Sequence, residues 1–223
     1  MKLFIDSANI NEIKRAFSTY LIDGVTTNPS LAAKENIDFD KLVKEILDIF
    51  KNTDNYVSLE VISLKEDEMI LEGIKLSKLS KNVIVKLPCT EDGYRACKVL
   101  SSKKIRINMT LCFSASQALL AAKAGAFFIS PFIGRLDDQG YDGMKLIEEI
   151  KKIYDNYKYK TQILVASIRS PRQVAEAALI GADVCTVPYA IFEKLFRHSL
   201  TDTGLKTFLD DWYNYKSRLG KWK

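Results

Sequence analysis

The hydrophobic and polar positions of the chain alternate between two spacings, one typical of strands and one typical of helices. Short runs rich in β-branched and aromatic residues recur eight times, and apolar residues spaced every three or four positions follow each run. This pattern predicts strands at residues 2–8, 24–28, 56–62, 83–88, 105–111, 127–133, 162–167 and 183–188. It predicts helices at 9–20, 39–51, 65–80, 91–102, 114–124, 144–154 and 171–180, a helix beginning near 29, a loop at 134–143, and helical segments after 188.

Eight strands that each precede a helix indicate an α/β fold, a (β/α)8 TIM barrel. A doubly wound open sheet is the alternative, although it normally has fewer strands. A length of 223 residues suits one barrel, so we predict a single domain over 1–223. The apolar face at 201–219 exceeds what a barrel needs, and we expect this extra C-terminal helix to pack on the barrel or on a neighbouring subunit.

One lysine lies inside a strand that is otherwise aliphatic. The segment V-I-V-K-L-P at 83–88 reads as a buried strand closed by Pro88, with Lys86 between Val85 and Leu87. Lys86 could be a core lysine paired with a carboxylate, or one that extends to an edge of the sheet. Alternatively, it could be an amine whose pKa is depressed by burial, which stays neutral and can form a Schiff base with a carbonyl.

Composition and motifs exclude several classes of function. The net charge of +5 suits an anionic metabolite but is too diffuse for nucleic acid. No G-x-G-x-x-G motif follows the first strand, and no P-loop occurs. Four cysteines without paired metal spacing and a single histidine argue against a metal site. Apolar runs are too short for a signal peptide or a membrane span. We therefore expect no cofactor, no metal, no nucleic acid or membrane partner, and a cytoplasmic location.

Polar side chains recur at the carboxyl ends of seven predicted strands, where a barrel gathers its chemistry. Each has a simple structural explanation: Asp6 could cap a helix, Asn28 could form a turn, and Thr110 could be an ordinary strand residue. Together they indicate an active site, because unpaired polar groups inside a barrel are costly. Strand eight offers only Thr186 and Pro188, which we interpret as structural. The set comprises Asp6, Thr26, Thr27, Asn28, Glu60, Lys86, Asn108, Thr110, Ser130, Arg135, Ser167 and Arg169.

A lysine amine and two separate carboxylates suit carbonyl chemistry. A neutral Lys86 adds to a ketone and loses water, and the resulting iminium ion acts as an electron sink when a nearby C–C bond breaks or forms. Asp6 and Glu60 then manage the protons. The side chains able to hold sugar hydroxyls are Asn28, Asn108 and Ser130, while Arg135, Arg169 and Ser167 can clamp a phosphate.

Five motifs together resemble the transaldolases over nearly the whole chain. They are V-T-T-N-P-S at 25–30, V-K-L-P at 85–88, N-M-T at 108–110, S-P-F-I-G-R-L-D-D at 130–138 and A-S-I-R at 166–169. The T-T-N-P-S and S-P-F-x-G-R motifs are specific, whereas V-K-x-P alone would be weak. The compact length is similar to the small transaldolase-like subfamily, which also contains fructose-6-phosphate aldolases.

The resemblance implies a role for each matching residue. Lys86 would form the Schiff base, Asp6 would be the acid and base at the C4 hydroxyl, and Glu60 with Thr110 would position the catalytic water. The dihydroxyacetone unit would lie against Asn28 and Asn108, with Ser130 nearby, and Arg135, Ser167 and Arg169 would bind the sugar phosphate.

Two positions separate the subgroups of this family. Transaldolases carry Glu at the water-activating position and Phe near the lysine, as Glu60 and Phe132 do here, whereas the aldolases typically carry Gln and Tyr. The resemblance therefore implies transfer of a dihydroxyacetone unit from sedoheptulose 7-phosphate or fructose 6-phosphate to erythrose 4-phosphate or glyceraldehyde 3-phosphate, in the pentose phosphate pathway. It also implies a homo-oligomer, a decamer built from two pentamers. The alternatives are a lyase that releases free dihydroxyacetone and a non-catalytic phosphosugar-binding barrel.

Overall fold

The computed structural model describes residues 1–219 and confirms the predicted barrel. Within these residues every neighbouring strand pair is parallel, and the eighth strand pairs with the first, so that the sheet closes. Closure leaves no sheet edge and brings all the carboxyl ends to one face. The strands are β1 (Lys2–Asp6), β2 (Gly24–Thr26), β3 (Tyr56–Glu60), β4 (Val83–Pro88), β5 (Ile107–Cys112), β6 (Phe128–Pro131), β7 (Gln162–Val165) and β8 (Val184–Val187).

Helices connect the strands, and most begin at a short polar side chain that caps free backbone N–H groups. Asn9, Thr90, Ser114 and Ser170 each accept such hydrogen bonds. The helices are α1 (Ile10–Phe17), α2 (Pro29–Ala32), α3 (Phe39–Phe50), α4 (Glu66–Ser77), α5 (Glu91–Ser102), α6 (Ala115–Ala124), α7 (Ile133–Asp137), α8 (Gly143–Tyr157), α9 (Pro171–Ile180), α10 (Tyr189–Leu195) and α11 (Ser199–Leu219).

The predicted loop at 134–143 is wrong in its first part, because the short helix α7 begins directly after β6. The N–H groups of Ile133 and Gly134 bond to the carbonyl oxygens of Ala166 and Ser167, which starts the turn from outside the segment. A helix of five residues is too short to show a helical period in the sequence. We therefore attribute helix α7 to these long-range backbone hydrogen bonds.

Aromatic and aliphatic side chains fill the interior of the barrel below its carboxyl face. Phe4 meets Phe128 edge-on, with ring centroids 6.0 Å apart, although β1 and β6 are not neighbours in the sheet. Gly24 makes room for this ring, since a Cβ there would lie 2.9 Å from the Phe4 ring atoms. The buried residues of this packed floor are Phe4, Ile84, Phe128, Leu164, Ala166 and Val184.

Contacts divide the chain into two units, residues 1–192 and a segment that begins at residue 193. The predicted apolar face at 201–219 falls within one helix, α11, in which Trp212 stacks on Tyr215 at 5.7 Å. Its packing on the barrel or on a neighbouring subunit stays a prediction, as does the single domain over 1–223. Within residues 1–219, no helix is both long enough and apolar enough to span a membrane.

Candidate active site

A polar layer lies directly above the aromatic floor. Side chains two positions apart on a strand face the same side, so the residue two positions after an interior apolar residue also points inward. In four strands, an inward-facing apolar residue is followed two positions later, near the carboxyl end, by an inward-facing polar residue. The pairs are Phe4 and Asp6, Ile84 and Lys86, Phe128 and Ser130, and Val184 and Thr186.

This layer opens into a cavity of about 260 Å³. Nine of the thirteen predicted site residues line the cavity, whereas Thr27, Glu60, Asn108 and Thr110 do not. The nine are Asp6, Thr26, Asn28, Lys86, Ser130, Phe132, Arg135, Ser167 and Arg169, and the cavity wall is completed by Leu164, Ala166, Ile168, Thr186 and Pro188.

Lys86 is paired with a carboxylate, as one of the alternatives predicts, and it also lines the cavity. Only 4% of its surface is exposed. Its Nζ lies 3.0 Å from Glu60 Oε2 and donates a hydrogen bond to the backbone oxygen of Thr27, also at 3.0 Å. Strand register explains the pair, since Glu60 and Lys86 are direct neighbours on β3 and β4. Glu60 can therefore accept a proton from the amine without any rearrangement.

Asn108 and Ser130 form a second pair within the polar layer. Ser130 donates a hydrogen bond of 2.7 Å to Asn108 Oδ1, and both residues are buried. Thr110, two positions after Asn108 on β5, is also buried, and its hydroxyl has no hydrogen-bond partner within residues 1–219. A buried hydroxyl without a hydrogen-bond partner costs stability unless a small polar molecule supplies that hydrogen bond.

Thr27 and Asn28 both use side-chain atoms for the fold. The Thr27 hydroxyl donates to the backbone oxygen of Ser58, so only its carbonyl contacts Lys86. Asn28 Oδ1 accepts a hydrogen bond from the Leu31 backbone N–H and caps α2, while the residue lines the cavity. The turn and the site therefore share Asn28, because capping uses its oxygen and its amide N–H₂ remains available.

Asp6 also lines the cavity and is held by Thr26, whose hydroxyl donates to Asp6 Oδ1 at 2.7 Å. Burial raises the pKa of the Asp6 carboxyl above its ordinary value of 3.8, and the Lys86 charge and the Thr26 hydrogen bond oppose the rise in part. A carboxyl with a raised pKa accepts and returns protons more readily near neutral pH.

Asp6→Asn is expected to stabilise the protein near neutral pH. Because the folded state raises the pKa of Asp6, the native protein binds this proton more tightly than the unfolded chain does. The ionised carboxyl therefore reduces stability above the raised pKa, and this penalty disappears as the pH falls towards the ordinary value. Calorimetric melting should show a gain for Asp6→Asn at neutral pH that fades on acidification. Asp54→Asn, at a carboxylate with 98% of its side chain exposed, is the control and should show no such gain.

Arg135 and Arg169 are both exposed and also line the cavity. The Arg135 guanidinium stacks over the Phe132 ring at 5.2 Å, and Phe132 in turn packs edge-on against Phe113. Arg169 is held by an ion pair of 2.8 Å from its Nη2 to Asp138 Oδ2. Both guanidinium groups are therefore oriented before any anion binds.

Ser167 also lines the cavity and has a left-handed backbone conformation, with φ of 63°. Such strain is uncommon for a serine and persists where neighbouring contacts hold it. Here the carbonyl oxygen of Ser167 accepts a hydrogen bond from the Gly134 N–H at 3.1 Å. The segments that follow β6 and β7 are thus joined through their backbones at this point.

Strand eight, which the sequence analysis interpreted as structural, also contributes to the cavity wall through Thr186 and Pro188. Thr186 faces Thr26 with 2.7 Å between the two hydroxyl oxygens, so it belongs to the polar layer. Asp138 is a second residue that was not singled out. A signal for Thr186 was present in the sequence, because it lies two positions after an interior valine, as Asp6 follows Phe4.

Comparison with known proteins supports the same picture. The family described as "Transaldolase/Fructose-6-phosphate aldolase" matches residues 3–222. This chain belongs to that family. A "Probable transaldolase" of Aquifex aeolicus is 54% identical over 212 residues, covering 95% of this chain and 96% of the relative. One from Leptospira biflexa is 54% identical over 211 residues, covering 95% and 97%.

A solved structure with a much more distant sequence supports the fold alone. The thiamine phosphate pyrophosphorylase of Pyrococcus furiosus superposes with a TM-score of 0.59 at 14% identity, covering 84% of this chain and 85% of that one. The sequence-based predictions of the family, the barrel and an enzyme of the transaldolase type are thereby confirmed.

Proposed function

We propose that this protein is a transaldolase, which transfers a dihydroxyacetone unit between phosphorylated sugars through a Schiff base on Lys86. The proposal rests above all on the pairing of a buried amine with Glu60, 3.0 Å away, in a cavity that Asp6 also lines. One carboxylate next to the amine and a second one in the wall of the same cavity are what imine formation and C–C cleavage separately require.

In the first half of the proposed reaction, Glu60 takes a proton from Lys86, and the free amine attacks the C2 ketone of the donor sugar. Loss of water from the carbinolamine gives an iminium ion. Asp6 then takes the proton of the C4 hydroxyl, the C3–C4 bond breaks, and its electrons move to the iminium nitrogen to give an enamine. The shortened aldose phosphate leaves with the C4 carbonyl.

In the second half, the enamine attacks the carbonyl of an acceptor aldose phosphate, and Asp6 returns its proton to the new hydroxyl. Water then releases the product from Lys86. We propose that Glu60 and the buried hydroxyl of Thr110 hold this water, which would give the Thr110 hydroxyl its missing hydrogen-bond partner. Every proton and electron pair is moved by side chains and substrates, so we propose no cofactor.

The dihydroxyacetone unit would bind beside Asn28, Asn108 and Ser130, whose amide and hydroxyl groups match its hydroxyls. The phosphate would bind to Arg135, Arg169 and Ser167, which line the same cavity. The physiological donors and acceptors would be those implied by the resemblance, and the protein would be a cytoplasmic homo-oligomer. Its size can be measured by light scattering of the purified protein.

Acceptor dependence tests the function and separates it from aldolase activity. Purified protein is incubated with fructose 6-phosphate, with and without erythrose 4-phosphate, and both free dihydroxyacetone and sedoheptulose 7-phosphate are quantified. A transaldolase forms sedoheptulose 7-phosphate and releases little dihydroxyacetone when the acceptor is omitted. Rapid release without an acceptor would instead establish the lyase, and no turnover of either kind would support a binding protein.

Arg135→Ala and Arg169→Ala are each expected to reduce kcat/KM for fructose 6-phosphate by about 10- to 150-fold, equivalent to roughly 1.5–3 kcal/mol of lost charge-assisted hydrogen bonding. Unphosphorylated fructose should be affected much less, because it lacks the group that these side chains bind. Arg172→Ala, at an exposed arginine paired with Glu176, is the matched control. Equal losses with both sugars would place the phosphate elsewhere.

A further inference from the structure

Three side chains on adjacent strands form a continuous hydrogen-bond chain at the edge of the cavity. Thr186 on β8 contacts Thr26 on β2, and Thr26 contacts Asp6 on β1, with 2.7 Å between oxygens in each case. Both threonines are only 2% exposed, so water competes little for their hydroxyls. The two hydroxyls meet across β1, because β8 and β2 flank this strand in the closed barrel.

The positions of the protons in this hydrogen-bond chain follow from which of its groups can donate. An ionised Asp6 carboxylate has no proton to give, so the single proton of Thr26 must point to Asp6 Oδ1. The Thr26 oxygen is then an acceptor in its contact with Thr186, and the Thr186 hydroxyl must be the donor. Thr186 thus keeps the Thr26 proton directed at the carboxylate, although it does not touch Asp6 itself.

We propose that Thr186 is a positioning residue for the transfer reaction, which acts on Asp6 through the hydroxyl of Thr26. This inference rests on the proposed function, in which Asp6 alternates between base and acid. The hydrogen-bond chain suits both states, because Thr26 can keep donating to Oδ1 whether or not Oδ2 carries a proton. With Oδ1 bound to Thr26, the proton exchanged with the substrate moves on Oδ2.

Other charges around the cavity act on Asp6 as well and must be held constant in a test. The charge of Lys86 lowers the pKa of Asp6, Lys86 is itself paired with Glu60 at 3.0 Å, and Arg135 and Arg169 line the same cavity. Removing the Thr186 hydroxyl changes none of them. Any change in the titration of Asp6 would therefore report on the hydrogen-bond chain.

The test compares Thr186→Val, Thr186→Ser and Thr161→Val with the wild type. Valine matches the shape of threonine without the hydroxyl, and serine retains the donor. Thr161 is also buried, and its hydroxyl donates to the Ala126 carbonyl, so Thr161→Val controls for the general loss of a buried hydroxyl. The Asp6 carboxyl is titrated by ¹³C NMR, its signal being identified by its absence from Asp6→Asn.

Thr186→Val should raise the titration midpoint of Asp6, because the anion loses a well-directed donor. It should also lower kcat for transfer by about three- to tenfold. Borohydride trapping of dihydroxyacetone on Lys86 should be unchanged, since that step has no C4 hydroxyl to deprotonate. Thr186→Ser and Thr161→Val should match the wild type in all three measurements.

The proposal is overturned if Thr186→Val leaves the titration of Asp6 or the transfer rate unchanged, or if trapping falls as much as transfer does. An equal effect of Thr161→Val would show that only packing had been disturbed. The NMR titration requires no turnover, so failure of the hydrogen-bond chain is distinguished from failure of the proposed function. In the latter case, the wild type itself would transfer nothing while the Asp6 midpoint still responded to Thr186→Val.

Discussion

Lys86→Met is expected to abolish the covalent adduct and to lower transfer by a factor on the order of 10⁴ or more, because the proposed mechanism has no other nucleophile. Methionine retains an unbranched side chain of similar length without the amine. Wild-type protein treated with fructose 6-phosphate and borohydride should gain the mass of one reduced sugar fragment on the peptide that contains residue 86. The variant should gain none.

Two controls separate lost chemistry from lost folding. Lys81→Met removes an exposed lysine near the start of the same strand, whose partner is Asp54, and it should retain both adduct and activity. Lys86→Met leaves Glu60, whose side chain is only 13% exposed, without its cation, which can cost about 3–5 kcal/mol of stability. The double variant Lys86→Met/Glu60→Gln removes that charge and should regain stability but no activity. An adduct on any lysine other than Lys86 would contradict the mechanism.

Proline and glycine residues determined which element boundaries could be predicted. The strand at 83–88 and the helix at 171–180 were predicted to the residue, since Pro88 closes the first and Pro171 and Gly181 bound the second. Strand β1 was predicted as 2–8 but ends at Asp6. Beyond that point the Ser7 hydroxyl accepts a hydrogen bond from the Asn9 N–H and donates one to Glu12, so these residues lead into α1 although their composition is β-rich.

Site residues, like element boundaries, could be predicted where the local sequence marks them and not where they depend on contacts with distant residues. Lys86 and Glu60 could be predicted because a charge within an aliphatic strand is itself informative. Thr186 was missed, because a threonine in a β-rich run has a sufficient local explanation. Its partner Thr26 lies 160 positions earlier, and the two meet only when the barrel closes. The pairing of Asp138 with Arg169 likewise depends on contact between the segments after β6 and β7.

That contact leads to the second large expected effect, a loss of phosphosugar recognition in Gly134→Ala. A Cβ at Gly134 would lie far inside contact distance of the Ser167 carbonyl oxygen and 2.6 Å from Arg169 Nε. The clash is with backbone, so it cannot be relieved by a side-chain rotation alone. We expect kcat/KM for fructose 6-phosphate to fall by about 100-fold, the cost of a displacement near 1 Å at a binding site. Stability should fall by about 1–3 kcal/mol, as for other overpacked sites.

The reason to expect a selective loss is that the atoms nearest to a Cβ at Gly134 belong to Ser167 and Arg169, which are proposed to bind the phosphate, and not to Lys86. Trapping of dihydroxyacetone, which has no phosphate, should stay within a few-fold of the wild type. Transfer from fructose 6-phosphate should fall by the full factor of about 100. Gly204→Ala is the matched control, because a Cβ there meets nothing within 4 Å, and it should leave both unchanged. If Gly134→Ala reduced trapping and transfer equally, the displacement would have reached the amine, and phosphate binding would not be separable from the amine as proposed.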